Sequence, residues 1–521
     1  MLNIYSIGLR CPIGKETNMA TQLFYDHLLS TAKMADINSE QPVETEILLA
    51  DYDAPVFKIV KTTMEHLITQ KYIMQNKLTV EGFIKVSIYY QPPEGGKLSV
   101  VTQKVPFQKQ LELPAADYDL CFINIQGQSQ YVNTRPQNST RIDVRGAYML
   151  SIKVFCQQKT NTITTISGSG VCCDSREIPH FHIAGQNLRQ FTAENEIAMP
   201  ENFLKILRVN TTQTTPAISV YQDKVAVKGE ITADIFCTVA DSSHIKKLTQ
   251  SFPYNQVVDI NRIKENYICC ADVSVCSFGI SQNKDSGKYS ASATVQIDVT
   301  AFAKQQVISV CDAFSRCCEY STEQQDVICD TNMYSVDKVF SLHMEETTDN
   351  ISDISDIVFE ISPVKSYFEI NKTTVKAKVT ANIIAVNSQN EYECISHTED
   401  VVLDWLENCG QYDEICIKLF LAGCTYSLSG NTLQINANIS AQGFVIEKQP
   451  FLLLKSFEEN EEEPIRTEEE ALIVYYAQKG EKVFDIARNH NADPQNIIAE
   501  NALQSDVIAS QQMLFIPAYT E

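Results

Sequence analysis

The sequence predicts a multidomain, mainly β protein: three repeated antiparallel β-sandwich-like units and a small domain of order strand, helix, helix, strand. Three observations carry this. Blocks of alternating apolar and polar residues recur at a nearly constant interval, a glutamate-rich stretch interrupts the chain near its end, and the pattern beyond that stretch changes period. With 521 residues the chain is too long for one hydrophobic core, so several domains are expected.

The recurring block begins with an alternating strand. Lys77 to Tyr89 reads KLTVEGFIKVSIY, Lys224 to Phe236 reads KVAVKGEITADIF, and Thr373 to Ile384 reads TTVKAKVTANII without the glycine. Aligning Gly82, Gly229 and Ala377 gives offsets of 147 and 148 residues. A more hydrophobic strand follows in each unit, Leu120–Ile125, Ile268–Val273 and Ile415–Phe420, and then a last alternating strand, Ile142–Tyr148, Tyr289–Val295 and Leu433–Ile439. Three anchors in one order predict a domain-sized triplication. Period-two alternation buries one face of each strand, which is the habit of antiparallel sheets. Turn-forming residues separate the strands at 92–96, 283–287 and 429–431.

The expected units span 15–158, 175–304 and 331–456. Leu23, Phe24, His27 and Leu28 sit at helical spacing and predict a short helix over 21–35. The Ser/Thr/Gly-rich stretch 159–170 reads as the first linker and 305–330 as the second. Residues 457–470 read as an acidic linker, with eight glutamates in the thirteen residues 458–470 holding it extended by self-repulsion.

Composition narrows the function. The chain is 44% apolar and 21% charged with a net charge of −23, which disfavours binding to nucleic acid or anionic membrane through a basic surface. No run reaches the roughly 20 apolar residues of a membrane-spanning helix, and Met1–Thr17 lacks the basic-then-apolar pattern of a secretion signal. Seventeen cysteines include the adjacent pairs Cys172-Cys173, Cys269-Cys270 and Cys317-Cys318 but no C-x-x-C. Cys121, Cys237, Cys269 and Cys416 fall in strands and are read as reduced thiols packed as small apolar residues, with later cross-linking as the alternative.

No catalytic constellation emerges. Gly8–Thr17 has five residues between its glycines where a phosphate loop has four, and Glu16 stands where the hydroxyl belongs. His180 and His182 lie on one face of a strand near Cys172 and Cys173, a zinc-type donor set at a spacing that fits no familiar motif. The single tryptophan, Trp405, reads as a half-buried anchor. The protein is expected to be no enzyme, and to need no metal and no cofactor.

The last domain spans 471–518. Ala471–Ala477 is a short β run, 482–489 carries Val483, Phe484, Ile486 and Ala487 on one helical side, Asp493-Pro494 opens a second helix, and Met513–Pro517 closes with a strand. The order resembles the LysM domain through Tyr475, Gly480, Phe484, Ile486, Ala487, Asn501, Leu503, Ile508, Leu514, Ile516 and Pro517. That resemblance implies a glycan- or partner-binding groove between two loops, lined by Gly480, Glu481, Lys482, Val483, Asn501, Leu503, Ser505, Asp506 and Ile508. Glu481-Lys482 stands where the family has Asp-Thr or Asp-Ser, and Ala509–Gln511 where it has Pro-Gly-Gln. The upstream units resemble the SPOCS (spore coat) domain around Gly82 and Gly229, followed by Phe107 or Phe252. Together the two resemblances imply a scaffold at the forespore surface, in the mother-cell cytoplasm or spore coat, binding coat proteins. The alternative they leave open is an anchor on the N-acetylglucosamine glycan of peptidoglycan.

Overall fold

The computed structural model describes residues 21–517 except 52, 94–96, 201, 241–244, 283–287, 349 and 466–471. The Gly8–Thr17 segment and the turn at 283–287 therefore lie outside the described residues.

Antiparallel strands dominate. Three long-stranded sheets have the orders β1-β6-β5, β7-β13-β12 and β14-β20-β19. Their strands are β1 Gln22–Leu48, β5 Cys121–Asn138, β6 Arg141–Ser167, β7 Val171–Ile197, β12 Ile268–Gln282, β13 Tyr289–Ser315, β14 Cys318–Thr347, β19 Glu414–Ser429 and β20 Thr432–Pro464. Each covers a shorter sheet. The first of these joins β2 Lys58–Met74, β3 Lys77–Gln91 and β4 Ser99–Glu112 in sequence order. In the second, β10 Lys224–Val239 pairs with β11 Lys246–Asp259 on one side and with β8 Phe203–Gln213 and β9 Ala217–Tyr221 on the other. In the third, β17 Lys372–Asn387 pairs with β18 Tyr392–Val402 and with β15 Ile351–Ile361 and β16 Lys365–Glu369.

Alternation explains the cores. In β3 Leu78, Val80, Ile84, Val86 and Ile88 are fully buried, and across the gap β6 supplies Ile142, Val144, Leu150 and Ile152. In the second sandwich β10 offers Val225, Val227, Ile231 and Ile235 against Ala291, Ala293, Val295 and Ile297 of β13. Trp405, in a single 3-10 turn, lies half-buried on the third core with the Lys338 ammonium 4.9 Å from its ring centre. The three sandwiches also meet one another: Tyr89 and Leu98, Leu207, and Ile384 and Tyr392 form one apolar cluster drawn from all of them.

The long strands overrun the sandwiches. Beyond them β1 pairs with β6, β7 with β13 and β14 with β20 as two-stranded ribbons, and the ribbons pack side by side. Leu28, Ile178, Val327 and Leu453 share one cluster, and Ile163, Val310, Leu454 and Phe457 another. Where sandwich becomes ribbon, each pairing slips by one residue, between Lys33 and Ala35, between Ala301 and Phe302, and between Asp330 and Asn332. Such a bulge turns the inward face over. Hence consecutive residues are buried there, Val154 with Phe155 and Ala301 with Phe302.

Four expectations are corrected by these ribbons. Residues 22–35 are strand β1, not helix, because their inward positions face neighbouring ribbons on one side only. The stretch 159–170 is strand through Ser167 and then a turn, since its β-branched Thr162, Ile163 and Ile166 are buried. Residues 305–330 likewise form the β13–β14 hairpin rather than a join. The acidic stretch is not a free tether over its first half: β20 runs to Pro464, with Phe457 to Asn460 paired to Thr322 through Glu319, and Phe457 inside the bundle.

Candidate recognition site

The C-terminal segment forms a compact knob of two strands, β21 Leu472–Ala477 and β22 Gln512–Pro517, and two helices, α1 Val483–Asn489 and α2 Pro494–Glu500. Ala477, Val483, Ile486, Ala487, Ile497, Ile508, Leu514 and Ile516 build its interior. Asp493 caps α2 by accepting from the Gln495 N–H at 2.8 Å, and Pro494 occupies the first turn. Lys482 occupies the cap position of α1 and offers no side-chain oxygen to it.

The two loops predicted to form a groove are joined. The Gly480 N–H donates to the Ile508 carbonyl at 2.8 Å, the Ile508 N–H to the Glu481 carbonyl at 2.9 Å, and the Val483 N–H to the Asp506 carbonyl at 2.7 Å. Gly480 has φ +91°, which suits glycine. Those backbone groups are spent on holding loop to loop. Asn501 is spent as well: its amide donates to the Ile497 and Phe515 carbonyls and accepts from the Phe515 N–H at 2.7 Å. Val483 and Ile508 are buried, and Leu503 packs on the core. The Glu481 carboxylate accepts from the Gln478 N–H and the Tyr475 hydroxyl. Ser505 and Asp506 remain at the surface.

Lys482 points away from the knob. Its ammonium lies 3.6 Å from Asp174 of β7, one of several contacts that seat the knob on the ribbon ends. Phe484 meets Phe314 edge to face at 5.2 Å, Arg488 pairs with Asp312, Arg316 with Asp493 at 3.5 Å, and the Asn491 amide donates to the Arg316 carbonyl at 2.9 Å. Sequence reasoning missed these ribbon residues, because nothing local marks a hairpin end as a seat for a domain some 150 residues onward.

Another face of the knob is left uncovered by the described residues. Val474 lies across from Phe515 and Tyr476 across from Met513 in the two-stranded sheet. All four are exposed, Tyr476 at 66%. Apolar cross-strand pairs turned to water are a recognised mark of a protein-contact surface.

Elsewhere the candidate donors are inert or apart. His180 and His182 are buried on one face of β7, but Cys172 is eight residues along that strand, roughly 26 Å away at the rise of an extended chain. Among the described residues no group of three or more His, Cys, Asp or Glu side chains converges as a metal site. Cys121 and Cys156, opposite each other in β5 and β6, form a disulfide, so the reading of Cys121 as a reduced thiol is corrected: the register places both sulfurs on one face. Cys172, Cys237, Cys269, Cys329 and Cys416 are free thiols. Burial pushes the Cys329 and Cys416 thiols up to about 12 and those of Cys172 and Cys269 to about 11, the opposite of an activated nucleophile.

Comparison with known proteins adds one finding. Residues 55–135 and 203–281 match the family model described as SipL, SPOCS domain. The matches cover β2 through most of β5 and β8 through most of β12, each a short sheet plus one edge strand of its long sheet. These two segments are similar to the SPOCS domain. No curated protein and no solved structure matches it. No helix among the described residues is long and apolar enough to cross a membrane.

Proposed function

We propose that the protein is a non-enzymatic scaffold of spore-envelope assembly, with three SPOCS-type sandwiches and a LysM-type knob that holds a coat protein. The observation that carries it is the pairing of two SPOCS matches with one strand order that all three sandwiches follow. The third sandwich is read as a diverged copy on that order alone. The β21, α1, α2, β22 order and the Gly480–Ile508 loop clasp support the LysM reading.

Two features favour a protein over a sugar as the knob's ligand. The loop backbone that would meet N-acetyl groups is bonded internally, and the Val474/Phe515 and Tyr476/Met513 pairs form an apolar face suited to a protein surface. Retention assays with the whole chain discriminate. Capture of coat proteins that is lost in Val474→Lys/Phe515→Lys, with no retention on cortex peptidoglycan, is the expected result. Retention on peptidoglycan that survives this double change would instead favour a glycan anchor acting in or near the forespore surface layers.

A further inference from the structure

A cavity of about 1240 Å³ opens where the three sandwiches meet. Its walls come from 61–67 of β2, 127–132 of β5, 208–212 of β8, 275–278 of β12, 355–361 of β15 and 419–424 of β19. Each of these six is the edge strand of its sheet. A free edge carries a row of backbone N–H and C=O groups without a ladder partner, the feature to which an extended peptide adds as a further strand.

The electrostatics of the walls select the peptide. Four carboxylates line the cavity and each has a cation of its own: Glu65 with Lys85 at 3.1 Å, Asp234 with Lys247 at 2.8 Å, Glu360 with Lys61 at 3.6 Å, and Asp356 with Arg208 at 2.6 Å. Positive charge is left over. Lys104 has no carboxylate partner among the described residues, and Lys378, 67% exposed on the open side, reaches only Asp400 at 3.8 Å, outside the walls. The cavity wall is thus cationic in a chain whose net charge is −23.

Arg208 adds an independent sign. Its side chain is 93% buried, grips Asp356 through Nε and Nη2 at 2.7 and 2.6 Å, and lies 3.8 Å from the Phe236 ring centre. Its Nη1 is buried with no hydrogen-bond partner. A buried charged donor left unmatched is costly and points to an acceptor that arrives from elsewhere.

We propose that this cavity binds an extended, carboxylate-rich segment of a partner polypeptide, which lies along the β8 edge and places acidic side chains toward Arg208 and Lys104. The proposal does not draw on the knob, so it stands or falls apart from the function proposed above.

The test uses the full chain and a fluorescent decapeptide of alternating Glu and Thr, with an alternating Lys-Thr decapeptide as control. Anisotropy is expected to rise with the Glu peptide only, and Lys104→Glu, a surface change that leaves the melting curve in place, weakens binding about tenfold. Arg208→Lys, which keeps the charge but loses the fork, also weakens it. Hydrogen exchange with the peptide bound is expected to slow at 208–212. Equal binding of the two peptides, unchanged affinity in Lys104→Glu, or protection confined to other strands would overturn the proposal. So would full displacement of the peptide by inorganic phosphate at millimolar concentration, which would make the site one for free anions.

Discussion

On the face of each sandwich that looks into its core, buried positions run in apolar files, as in Val295, Ile297 and Val299 of β13. Between the ribbons the equivalent positions include His180, His182, Ser309, Thr31 and Asp330, all buried. The His182 Nδ1 and Ser309 Oγ atoms have no hydrogen-bond partner there. Asp330 accepts from the Thr31 N–H at 2.7 Å and lies 3.2 Å from the Lys448 ammonium, which itself donates to the Thr31 carbonyl. Apolar files stabilise a sandwich without fixing much beyond strand register. A polar layer adds little net stability, but it penalises every arrangement of the ribbons that leaves a charge alone.

The largest expected effect tests that contrast. Asp330→Ala strands the Lys448 charge and should destabilise the bundle by about 3–5 kcal/mol, whereas Ile297→Ala should cost the second sandwich about 2–5 kcal/mol. Hydrogen exchange read by segment separates them: the first opens 22–33 and 318–330, the second 225–235 and 291–299. The double change Asp330→Met/Lys448→Met should restore most of the loss. Failure to restore it would show that the pair stabilises rather than specifies.

Phe484→Ala should cost the knob about 3–5 kcal/mol. Phe484 serves both its interior and the seat on Phe314, so exchange should rise across 473–517 and at the ribbon ends while the sandwiches stay protected. An unchanged knob would refute the core assignment.

Acid should separate the regions next. Burial, and then the neighbouring His180, hold His182 down to about 4, and burial holds His180 below its ordinary value as well. Both are neutral in the folded bundle. The unfolded chain takes up protons first as pH falls below about 6.5, so this stability is whole above that pH and is lost between about 6.5 and about 4. Burial raises the Asp330 carboxyl in the same layer, a contribution of opposite sign. Thermal melts at pH 7.5 and 5 should show the ribbons weakening first, by on the order of 2 kcal/mol, and His182→Gln should flatten the slope.

The smallest expected effect concerns two hairpin tips. Gln75-Asn76 and Ile370-Asn371 both have φ near +49° and +60°, but Ile370 is a β-branched residue in the left-handed region and 98% exposed. Ile370→Asn should raise the stability of the third sandwich by about 1 kcal/mol, measured as a shift in its local exchange.

Legibility followed the same division. The sandwich strands were readable because alternation within fifteen residues fixes which face is buried, as in KLTVEGFIKVSIYYQ of β3. The ribbons were not. Phe24 and Tyr25 are exposed while Ser30 and Thr31 are buried, so hydrophobicity misreports the inward face and the spacing imitates a helix. Thr-rich 159–167 and Glu-rich 457–463 lie in strands whose pairing is decided by partners far along the chain. The knob's elements were legible from their period and caps. Its seat and the cavity were not, since both assemble from segments separated by hundreds of residues.

The turns at 168–170 and 316–317 lie together, with the Arg316 N–H donating to the Gly170 carbonyl and the Ile465 N–H to the Cys317 carbonyl. All described passages from one sandwich to the next thus run through a single pole. At the other pole the contacts between sandwiches among the described residues run through side chains and apolar packing. A protease nick in either turn should leave a particle that sediments as the intact one, because the paired ribbons and the shared cluster of Tyr89, Leu207 and Ile384 hold the severed pieces together without a peptide link.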